Sequence, residues 1–583
     1  MRLFIEDCRS GSWVRRVMAW VALIGGLTGA AQAQESGRPA FGEIEQREAQ
    51  QQKEREDALN RLNVPRPDVR LQPDAASRPE QPWPQESPCF QIQQLELLGD
   101  PGLDFQWLKQ EYNTGANAIR GACLGPMGVN QVRTRMQNAL IDRGWITTRL
   151  LVPDQDLSRG VLTLQLVPGR LRSIRMSDGS DVPAMVRNAL PTQQGQLLNL
   201  RAIEQALESL KRVPSQDADI QIEPSSAEGS QAGDSNLVVS LQRRRPLRLS
   251  AFADDSGSEA TGKLQGSATL SYDAPLHLND LLYISLNHSL GDVPGESGGT
   301  QGHTLHYSIP YQWWLLTLTH SENKYHQSVA QSAIYVGESA QSEAQAERMV
   351  YRDARTKVSV NMGVWRKSAR NFLNDTEIQL QRRRTLGWLL GVDAQTHWGA
   401  TQISAEAGLR RGTGAGGALA APEETTGNGT SRFTVLNVQL SLTRPFEAFG
   451  TPLQFRSLWR AQLHGTRLAA PERFSIGSRY TVRGFDGSQS LVGDSGLLTR
   501  NEWSVPVAAL AGQAYWGLDA GMVAGPSSRT APPGRTLVGT AIGLRGALLG
   551  TVGYDVFAGH PVHQPSHLSP KGMNGGFNLN VSY

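Results

Sequence analysis

The sequence predicts α+β domains in the N-terminal part of the chain and, after them, an all-β transmembrane barrel that we expect to have 16 strands. The main observation is an alternation of apolar and polar residues that recurs from about residue 246 to the C-terminus. At the end of the chain, Phe577, Leu579, Val581 and Tyr583 alternate with small polar residues. Successive side chains of a strand point to opposite faces, so each strand has one apolar and one polar face. We expect the apolar faces to contact lipid and the polar faces to line a water-filled lumen.

The second observation is the short apolar stretch over residues 17–30, which follows two arginines and ends in a small-residue A-x-A pattern at Ala33. This arrangement predicts a signal peptide over residues 1–33. A membrane anchor is the alternative, but the apolar core is short and rich in glycine. No later segment reaches the roughly 20 apolar residues of a spanning helix. The mature chain is therefore expected to leave the cytoplasm, and any membrane crossing must use strands.

The third observation is an internal repeat. Residues 89–168 and 169–245 both have the order β-α-α-β-β, which predicts two similar domains of about 75 residues. The first strand of the first repeat is expected over residues 91–97. Residues 246–583 then contain strands and glycine-rich loops. Because the domains before it are periplasmic, the barrel must begin and end on that side, which requires an even strand number. Sixteen strands allow about 21 residues for each strand and its connection, while 14 or 18 remain open.

The segment before the repeat is predicted to be a helix and a linker. Residues 34–62 include a stretch without proline that is dense in Glu, Gln, Arg and Lys, and the helix over 42–62 would be about 30 Å long. A helix that is polar nearly all round does not belong in a dry core. A solvated tail and a helix inside a polar lumen both remain open. Residues 63–88 contain seven prolines and predict an extended linker that can reach on the order of 80 Å.

Charge and cysteine content limit the possible partners and the compartment. The 583 residues have a formal net charge of +3, which indicates no nucleic-acid partner. Of three cysteines, Cys8 lies in the predicted signal peptide. Cys89 and Cys123 remain, and an even pair outside the cytoplasm predicts a disulfide. Two free thiols are the less favoured alternative.

Several short motifs point to one family. The first repeat contains Cys89-Phe90-Gln91-Ile92, Gly121-Ala122-Cys123-Leu124 and Arg143-Gly144-Trp145-Ile146-Thr147-Thr148-Arg149. The barrel region contains Val482-Arg483-Gly484-Phe485 and Gly517-Leu518-Asp519. Together these segments resemble the outer-membrane transporters of two-partner secretion, the TpsB family of the filamentous-haemagglutinin and haemolysin transporter type. The repeats look like its two POTRA domains, and the barrel motifs are similar to its VRG(F/Y) pore loop and the G-x-D of a wall strand.

The residues support a pore-loop contact independently of the family. In the predicted strand 514–522, Gly517 and Asp519 lie on the lumen face. A carboxylate there is well solvated, and Arg483 on a loop can dock on it through a bidentate hydrogen bond. Gly484 allows a tight turn, and Phe485 is expected to pack against the inner wall. The alternative for Arg483 is an ordinary arginine on an external loop.

The resemblance implies a pore that exports one large unfolded partner, such as an adhesin, a haemolysin or a contact-dependent toxin, from the periplasm to the cell surface. It places the barrel in the outer membrane of a Gram-negative bacterium, with the POTRA domains in the periplasm. The implied partners are the secreted protein, the barrel-assembly machinery and outer-membrane lipid. We expect the helix in residues 34–62 to plug the resting pore, and Phe577 and Tyr583 to form the C-terminal assembly signal.

An insertase of the same superfamily and a surface adhesin remain alternatives. Gly493-Asp494-Ser495-Gly496 is spelled like the nucleophile segment of a serine protease, but no recognisable histidine segment accompanies it. His560, His563 and His567 are spaced like metal ligands but lie among prolines in a predicted loop. We therefore expect no enzymatic activity, no cofactor and no metal site.

Overall fold

The computed structural model describes residues 41–64, 67–71, 82–99, 104–115, 118–226, 228–291, 298–330, 333–508, 511–529, 532–548, 550–568 and 572–583. The predicted signal peptide over residues 1–33 and part of the proline linker lie outside these ranges. Among the described residues, no helix combines the length and apolar composition that a membrane-spanning helix requires. The helices are α1 Phe41–Asn63, α2 Gln106–Thr114, α3 Pro126–Asp142, α4 Ala184–Ala189, α5 Leu200–Leu210 and α6 Pro526–Arg529.

Two small α/β domains follow the linker. The strands of the first are β1 Phe90–Gln91, β2 Gln94–Leu98, β3 Cys123–Leu124, β4 Arg149–Leu151 and β5 Val161–Val167. Those of the second are β6 Leu171–Met176, β7 Gln216–Pro224 and β8 Ser235–Arg243. Their sheets have the orders β2-β5-β4 and β6-β8-β7, and in each sheet the first pair is parallel and the second antiparallel. The elements of each sheet and the two helices between them also follow the order β-α-α-β-β that the sequence predicts.

The strand predicted over residues 91–97 is interrupted in the structure. The backbone N–H of Ile92 donates to Ala122 O and that of Gln93 donates to Gly160 O. The chain thereby leaves the two-stranded sheet β1–β3 and enters the main sheet as β2. A uniform apolar–polar alternation cannot show such a change of hydrogen-bonding partner.

Each domain has its own apolar core. In α3, Val132, Met136 and Leu140 recur every four residues and are buried against the sheet, as expected for one face of a helix. In the second domain, α5 buries Ile203 and Leu207 in the same way. The predicted disulfide between Cys89 and Cys123 is present, with a Cα–Cα distance of 5.3 Å, and it fastens the two-stranded sheet β1–β3.

A carboxylate from the linker caps α3. Glu86 accepts backbone hydrogen bonds from Gly125, Met127 and Gly128 at 2.9, 3.0 and 2.7 Å. Desolvation acts to raise the pKa of Glu86, but these three bonds outweigh it and hold the pKa below its ordinary value. The cap therefore stabilises the fold above the pKa that Glu86 has in the unfolded chain, and its contribution is lost as the pH falls through the lower folded value.

The rest of the chain forms a closed antiparallel barrel of 16 strands, which confirms the predicted number. These strands are β9 Leu247–Asp254, β10 Leu264–Asp273, β11 Leu281–Leu290, β12 Gly299–Tyr311, β13 Trp314–Ala330, β14 Ala333–Arg352, β15 Thr356–Leu373, β17 Arg383–Trp398, β18 Thr401–Thr413, β19 Thr434–Ala448, β20 Thr451–His464, β23 Ser495–Val507, β24 Gly512–Ala524, β25 Thr536–Leu548, β26 Val552–His563 and β27 Asn574–Ser582. Segment β16, Thr376–Glu377, extends the β15–β17 connection, and β21 Phe474–Ile476 pairs with β22 Leu491–Gly493 inside the β20–β23 connection.

The first and last barrel strands pair to close the barrel. Residues of β27 lie opposite those of β9, from Asn578 opposite Asp254 to Ser582 opposite Ser250. Beyond this ladder, the N–H of Tyr583 donates to Leu249 O at 2.9 Å and the N–H of Leu249 donates to Tyr583 O at 3.1 Å. Backbone pairing around the barrel therefore includes the last residue of the chain.

The two faces of the barrel follow the alternation in the sequence. On β11, the side chain of Leu286 is 59% exposed on the outside, whereas its neighbour Ser285 is 1% exposed on the inside. Leu579 and Val581 on β27 are also exposed. An apolar outer face and a polar inner face are what a barrel in lipid requires.

Candidate functional site

The lumen contains the long connection between β20 and β23, residues 465–494, which folds back against the inner wall. Its Val482 and Phe485 are buried in a small apolar cluster. The wall contributes Leu498, Val523 and Leu537 to that cluster. Apolar packing thus fixes the loop on both sides of Arg483, so this arginine is held inside the barrel.

The structure brings Arg483 and Asp519 together. The Nε of Arg483 donates to Asp519 Oδ2 at 2.7 Å, and its Nη2 donates to Oδ1 at 2.8 Å, which is a bidentate pair. The backbone N–H of Arg483 also donates to Oδ2, at 3.0 Å. The two residues are 4% and 0% exposed. Removing one partner of such a buried pair costs about 3–5 kcal/mol, because the other charge is left uncompensated.

Other charged groups of the wall surround this pair. Glu502 accepts from Arg483 Nη1 at 3.0 Å and is also paired with Arg545. Arg500 Nε lies 3.7 Å from Asp519 Oδ2, and its Nη1 donates to the carbonyl of Tyr480 in the loop at 3.1 Å. The loop is therefore held by a network of charges on β23, β24 and β25. Sequence reasoning identified only the Asp519 partner, because Glu502, Arg500 and Arg545 have no distinctive spacing in the chain.

Three glycines make room for the docked loop. A Cβ at Gly517 would lie 2.2 Å from Nη2 of Arg483, and one at Gly539 would lie 1.8 Å from Arg483 O. Gly484 has φ of +107°, and a Cβ there would meet His560 O at 2.5 Å. Gly539 lies directly opposite Asp519 on β25. Sequence reasoning missed this residue, since its role becomes visible only from the strand register.

Helix α1 lies in the same lumen. Its polar side chains contact several strands and the pore loop: Glu45 with Arg383, Arg47 with Gln327, Glu48 with Thr261, Gln52 with Ser339, Glu54 with Ser478, Glu56 with Asn323 and Asn60 with Tyr283. Ser478 belongs to the loop that carries Arg483. The helix therefore contacts both the wall and the docked loop, which agrees with a helix in a polar lumen and not with a solvated tail.

A buried ionic cluster connects the linker, the second α/β domain and the barrel. Arg352, at the end of β14, has a side chain only 2% exposed. It pairs with Glu204 and Glu208 of α5, each at 3.0 Å, and donates to the carbonyl of Val69 at 2.6 Å. Lys357 on β15 lies 3.0 Å from the same Glu208. Sequence reasoning missed this cluster, although Glu204 and Glu208 are four residues apart on one helix.

The linker is held in the same place by its backbone. The N–H of Val69 donates to Glu208 Oε1 at 2.9 Å, and the N–H of Leu71 donates to Glu204 Oε1 at 2.8 Å. The side chains of Val69 and Leu71 pack against the core of the second domain, and Asp68 lies 2.7 Å from Lys357. The segment that follows α1 is therefore fastened where the second domain contacts the barrel.

The protease-like segment has a structural arrangement of its own. His464 Nδ1 lies 2.6 Å from Ser495 Oγ, so the serine does have a histidine neighbour, contrary to the sequence-based reading. However, Asp494 accepts from the backbone N–H groups of Leu468 and Ser527 at 3.0 and 2.7 Å. The Asp494 carboxylate therefore links the β20–β23 connection, which contains Leu468, to the β24–β25 connection, which contains Ser527.

The remaining predicted positions lie in β26 and in β27, the strand that closes the barrel against β9. The N–H of Phe577 donates to Asp255 Oδ1 at 2.9 Å, and its carbonyl accepts from Arg479 Nη2 at 3.0 Å. Of the three histidines with metal-like spacing, His560 and His563 belong to β26, and not to a loop as expected. The carbonyl of His560 is the group that closely approaches Gly484.

Sequence comparison identifies the family. The profile described as Haemolysin secretion/activation protein ShlB/FhaC/HecB matches residues 233–546, more than half of the chain. Profiles of the POTRA domain match residues 90–169, in the ShlB-type form, and residues 170–224. The chain belongs to this family. The predicted POTRA-plus-barrel fold and outer-membrane location are confirmed, as is transport by two-partner secretion, in which a transporter works with a large secreted protein.

Individual relatives agree with this assignment. The chain is 34% identical to outer membrane transporter CdiB-2 of Burkholderia pseudomallei (strain 1026b), over 96% of this chain and 98% of the relative. It is 26% identical to hemolysin transporter protein HpmB of Proteus mirabilis, over 66% and 67% of the two chains. Among solved structures, CdiB from Acinetobacter baumannii matches with a TM-score of 0.81 and 30% identity, covering 94% of this chain and 100% of that chain. CdiB from Escherichia coli matches with a TM-score of 0.78 and 25% identity, with the same coverage.

Replacing Gly517 by alanine should displace the Arg483 guanidinium, because the added Cβ would lie 2.2 Å from Nη2. We expect Gly517→Ala to reduce secretion of the partner as strongly as Arg483→Ala does, while both barrels still insert. Partner in the culture medium and the heat-modifiable mobility of the barrel on gels measure the two effects. Gly408→Ala is the matched control, since a Cβ on this lumen-lining glycine meets nothing within 4 Å. Wild-type secretion by Gly517→Ala would show that the docked geometry is not required.

Replacing Arg352 by methionine should release the linker, because Glu204 and Glu208 would lose their shared buried cation. We expect trypsin to cleave the full-length protein after Arg70 at least ten times faster, measured by mass spectrometry of the released fragment. Arg348→Met is the control, since Arg348 lies on the same strand but stacks on Trp314, with 5.1 Å from Cζ to the ring centroid. Equal cleavage rates in the two variants would contradict a fastening role for Arg352.

Proposed function

We propose that this transporter exports one large partner protein, an adhesin, haemolysin or contact-dependent toxin, through the lumen of its barrel. The observation that supports this most directly is the docking of Arg483 on Asp519 inside a polar lumen, where the docked loop and α1 occupy the path. The relatives are named as transporters, which favours export over the insertase and adhesin alternatives. Contacts with outer-membrane lipid and with the barrel-assembly machinery are part of the same proposal.

We propose the following division of the chain: a signal peptide over 1–33, a plug helix over 34–62, a linker over 63–88, POTRA domains over 89–168 and 169–245, and a barrel over 246–583. Within the barrel, Val482, Arg483, Gly484 and Phe485 form the pore-loop motif, and Gly517 and Asp519 form its wall partner. Phe577 and Tyr583 serve as the C-terminal assembly signal.

The contacts of α1 are suited to a plug that leaves the pore. The helix meets the wall mainly through polar side chains, among them the buried Glu45, Glu48 and Glu54. Most of its partners can be replaced by water or by the polar groups of an extended chain in transit. The helix therefore fills the resting lumen without the strong apolar packing that would hold it there permanently.

Deleting residues 34–62 should raise the single-channel conductance in planar bilayers, because the lumen would lose the helix that spans it. The Arg348→Met variant should show no increase in conductance, because it changes a charge on the outer face and leaves the helix in place. Unchanged conductance after the deletion would rule out the plug.

The two POTRA domains differ in how their sheet edges are protected. On β2, Asn113 accepts from Leu95 N at 2.8 Å and donates to Leu95 O at 3.0 Å. On β4, Gln137 accepts from Leu150 N at 3.0 Å and donates to Thr148 O at 2.9 Å. Backbone groups that are engaged by an amide in this way cannot pair with an incoming strand. We refer to these two contacts as the amide clamps of the first domain.

The partner is therefore proposed to add a strand to the second POTRA domain. Strand β6 lies at the edge of its sheet and pairs with β8 on one side. On the other side, Leu171 at its start exchanges backbone hydrogen bonds with Gly195 and Gln196 at 2.7 and 2.9 Å, so the proposed docking edge is residues 173–176. An extended chain can join such an edge through main-chain hydrogen bonds, with side-chain pockets selecting the sequence. The second domain is also the one that contacts the barrel, through Asn188, which donates to Pro310 O at 2.6 Å. A segment bound there would already lie beside the pore entrance.

A photo-crosslinking amino acid at Arg175, exposed on β6, should capture the partner during secretion in living cells. The same substitution at Arg149, exposed on the clamped strand β4, should capture much less, because the amide clamps block strand addition. Immunoblots for the partner measure both yields. Stronger capture at position 149 than at 175 would contradict binding to the second domain.

A further inference from the structure

The outer wall of the barrel carries a cluster that the transport function does not use: His303 on β12, with His320 and Glu322 on β13. His303 lies directly opposite Glu322 in the strand register. His320 is two residues before Glu322 and so shares its face. The exposed Leu305 and Leu318 show that this is the outer face.

The ligand atoms of these side chains already converge. Glu322 Oε1 lies 3.4 Å from His320 Nε2, and Glu322 Oε2 lies 3.9 Å from His303 Nε2. The three ligand atoms all lie within 4.8 Å of one another. A zinc ion bound at about 2.1 Å in tetrahedral geometry places its ligand atoms about 3.4 Å apart. Small rotations of the half-exposed imidazoles are enough to reach that spacing.

A third strand orients one of the histidines. His320 Nδ1 lies 2.8 Å from Ser342 Oγ on β14. When Nδ1 donates its proton to this hydroxyl, Nε2 is left as the lone-pair nitrogen that faces Glu322. Metal-binding histidines are typically held by such a hydrogen bond from the other ring nitrogen. Because β13 and β14 are paired in the barrel, this contact holds the imidazole of His320 in a fixed orientation.

Nearby charges leave Glu322 available to a cation. Lys324, two residues further along the same face of β13, is paired with Glu338 at 3.2 Å, and Arg370 pairs with the same Glu338 at 3.1 Å. Glu338 therefore engages the neighbouring positive charges, while the Glu322 carboxylate faces two imidazoles. Two neutral imidazoles and one carboxylate match the preferences of zinc and of similar divalent transition metals.

We propose that His303, His320 and Glu322 form a binding site for a divalent transition metal, with zinc as the preferred ion. The three side chains supply three ligands, and the fourth position is open to water or to an external group. The bound ion joins β12 and β13 on the outside of the barrel and neutralises Glu322 there. Sequence reasoning expected no metal site, because the ligands lie 17 and 2 residues apart on two strands and only the register brings them together.

The test uses the full-length protein in detergent, purified without a histidine tag. Equilibrium dialysis against zinc should find one site that His303→Ala or His320→Ala weakens at least tenfold. Ser342→Ala should weaken it about tenfold, as loss of an orienting hydrogen bond does. His288→Ala is the control, because His288 lies on the neighbouring strand but outside the cluster, and it should bind like the wild type. Heat-modifiable mobility on gels confirms that each barrel is folded.

A second measurement identifies the ligands directly. Copper substituted for zinc should give an electron paramagnetic resonance spectrum with two coupled imidazole nitrogens in the wild type and one in His303→Ala. Equal zinc affinity in the wild type and both histidine variants would overturn the proposal, as would an unchanged copper spectrum in His303→Ala. A loss in His288→Ala equal to that in His303→Ala would show nonspecific binding to surface histidines and would overturn it as well.

Discussion

The bidentate pair between Arg483 and Asp519 is the interaction on which the organisation of the lumen depends. It joins the 30-residue connection between β20 and β23 to the neighbouring wall strand β24, in a place where both side chains are buried. The same loop contacts α1 through Ser478 and Glu54. Loss of the pair would leave a buried charge and would loosen the loop together with one support of the helix. A single ion pair therefore links the wall, the loop and the proposed plug.

The molecule uses two kinds of polar attachment. The helix in the lumen is held by many separate polar contacts with the wall and the loop, several of them made by the buried carboxylates of Glu45, Glu48 and Glu54. The linker after it is held by Arg352, Glu204 and Glu208, which are buried together, so that removing any one of them would leave a buried charge without its partner. The proposed exit of the helix does not require the linker to detach from the second POTRA domain. A linker that stays fastened would keep the displaced helix near the pore.

Much of this architecture follows from the sequence alone, because alternation is a local property. The faces of β11, β24 and β27 can be assigned from single residues such as Leu286 and Asp519, and the Arg483 motif is recognised by its resemblance to the pore loop of the family. Features that depend on register could not be predicted. The position of Gly539 opposite Asp519 becomes visible only when the strands have been paired. The contact of Arg352 with the glutamates of α5 becomes visible only when the second domain has been placed against the barrel. The interruption between β1 and β2 likewise depends on which backbone group Ile92 meets.

The pairing of the first and last barrel strands has a consequence for biogenesis. Tyr583 forms two backbone hydrogen bonds with Leu249 at the beginning of β9, next to the ladder between β9 and β27. The cylinder can therefore be sealed only when β27 is in place against β9. Until then both strands keep an unpaired edge, which can pair with other chains and cause aggregation. Closure thus protects the barrel against misassembly at these two edges.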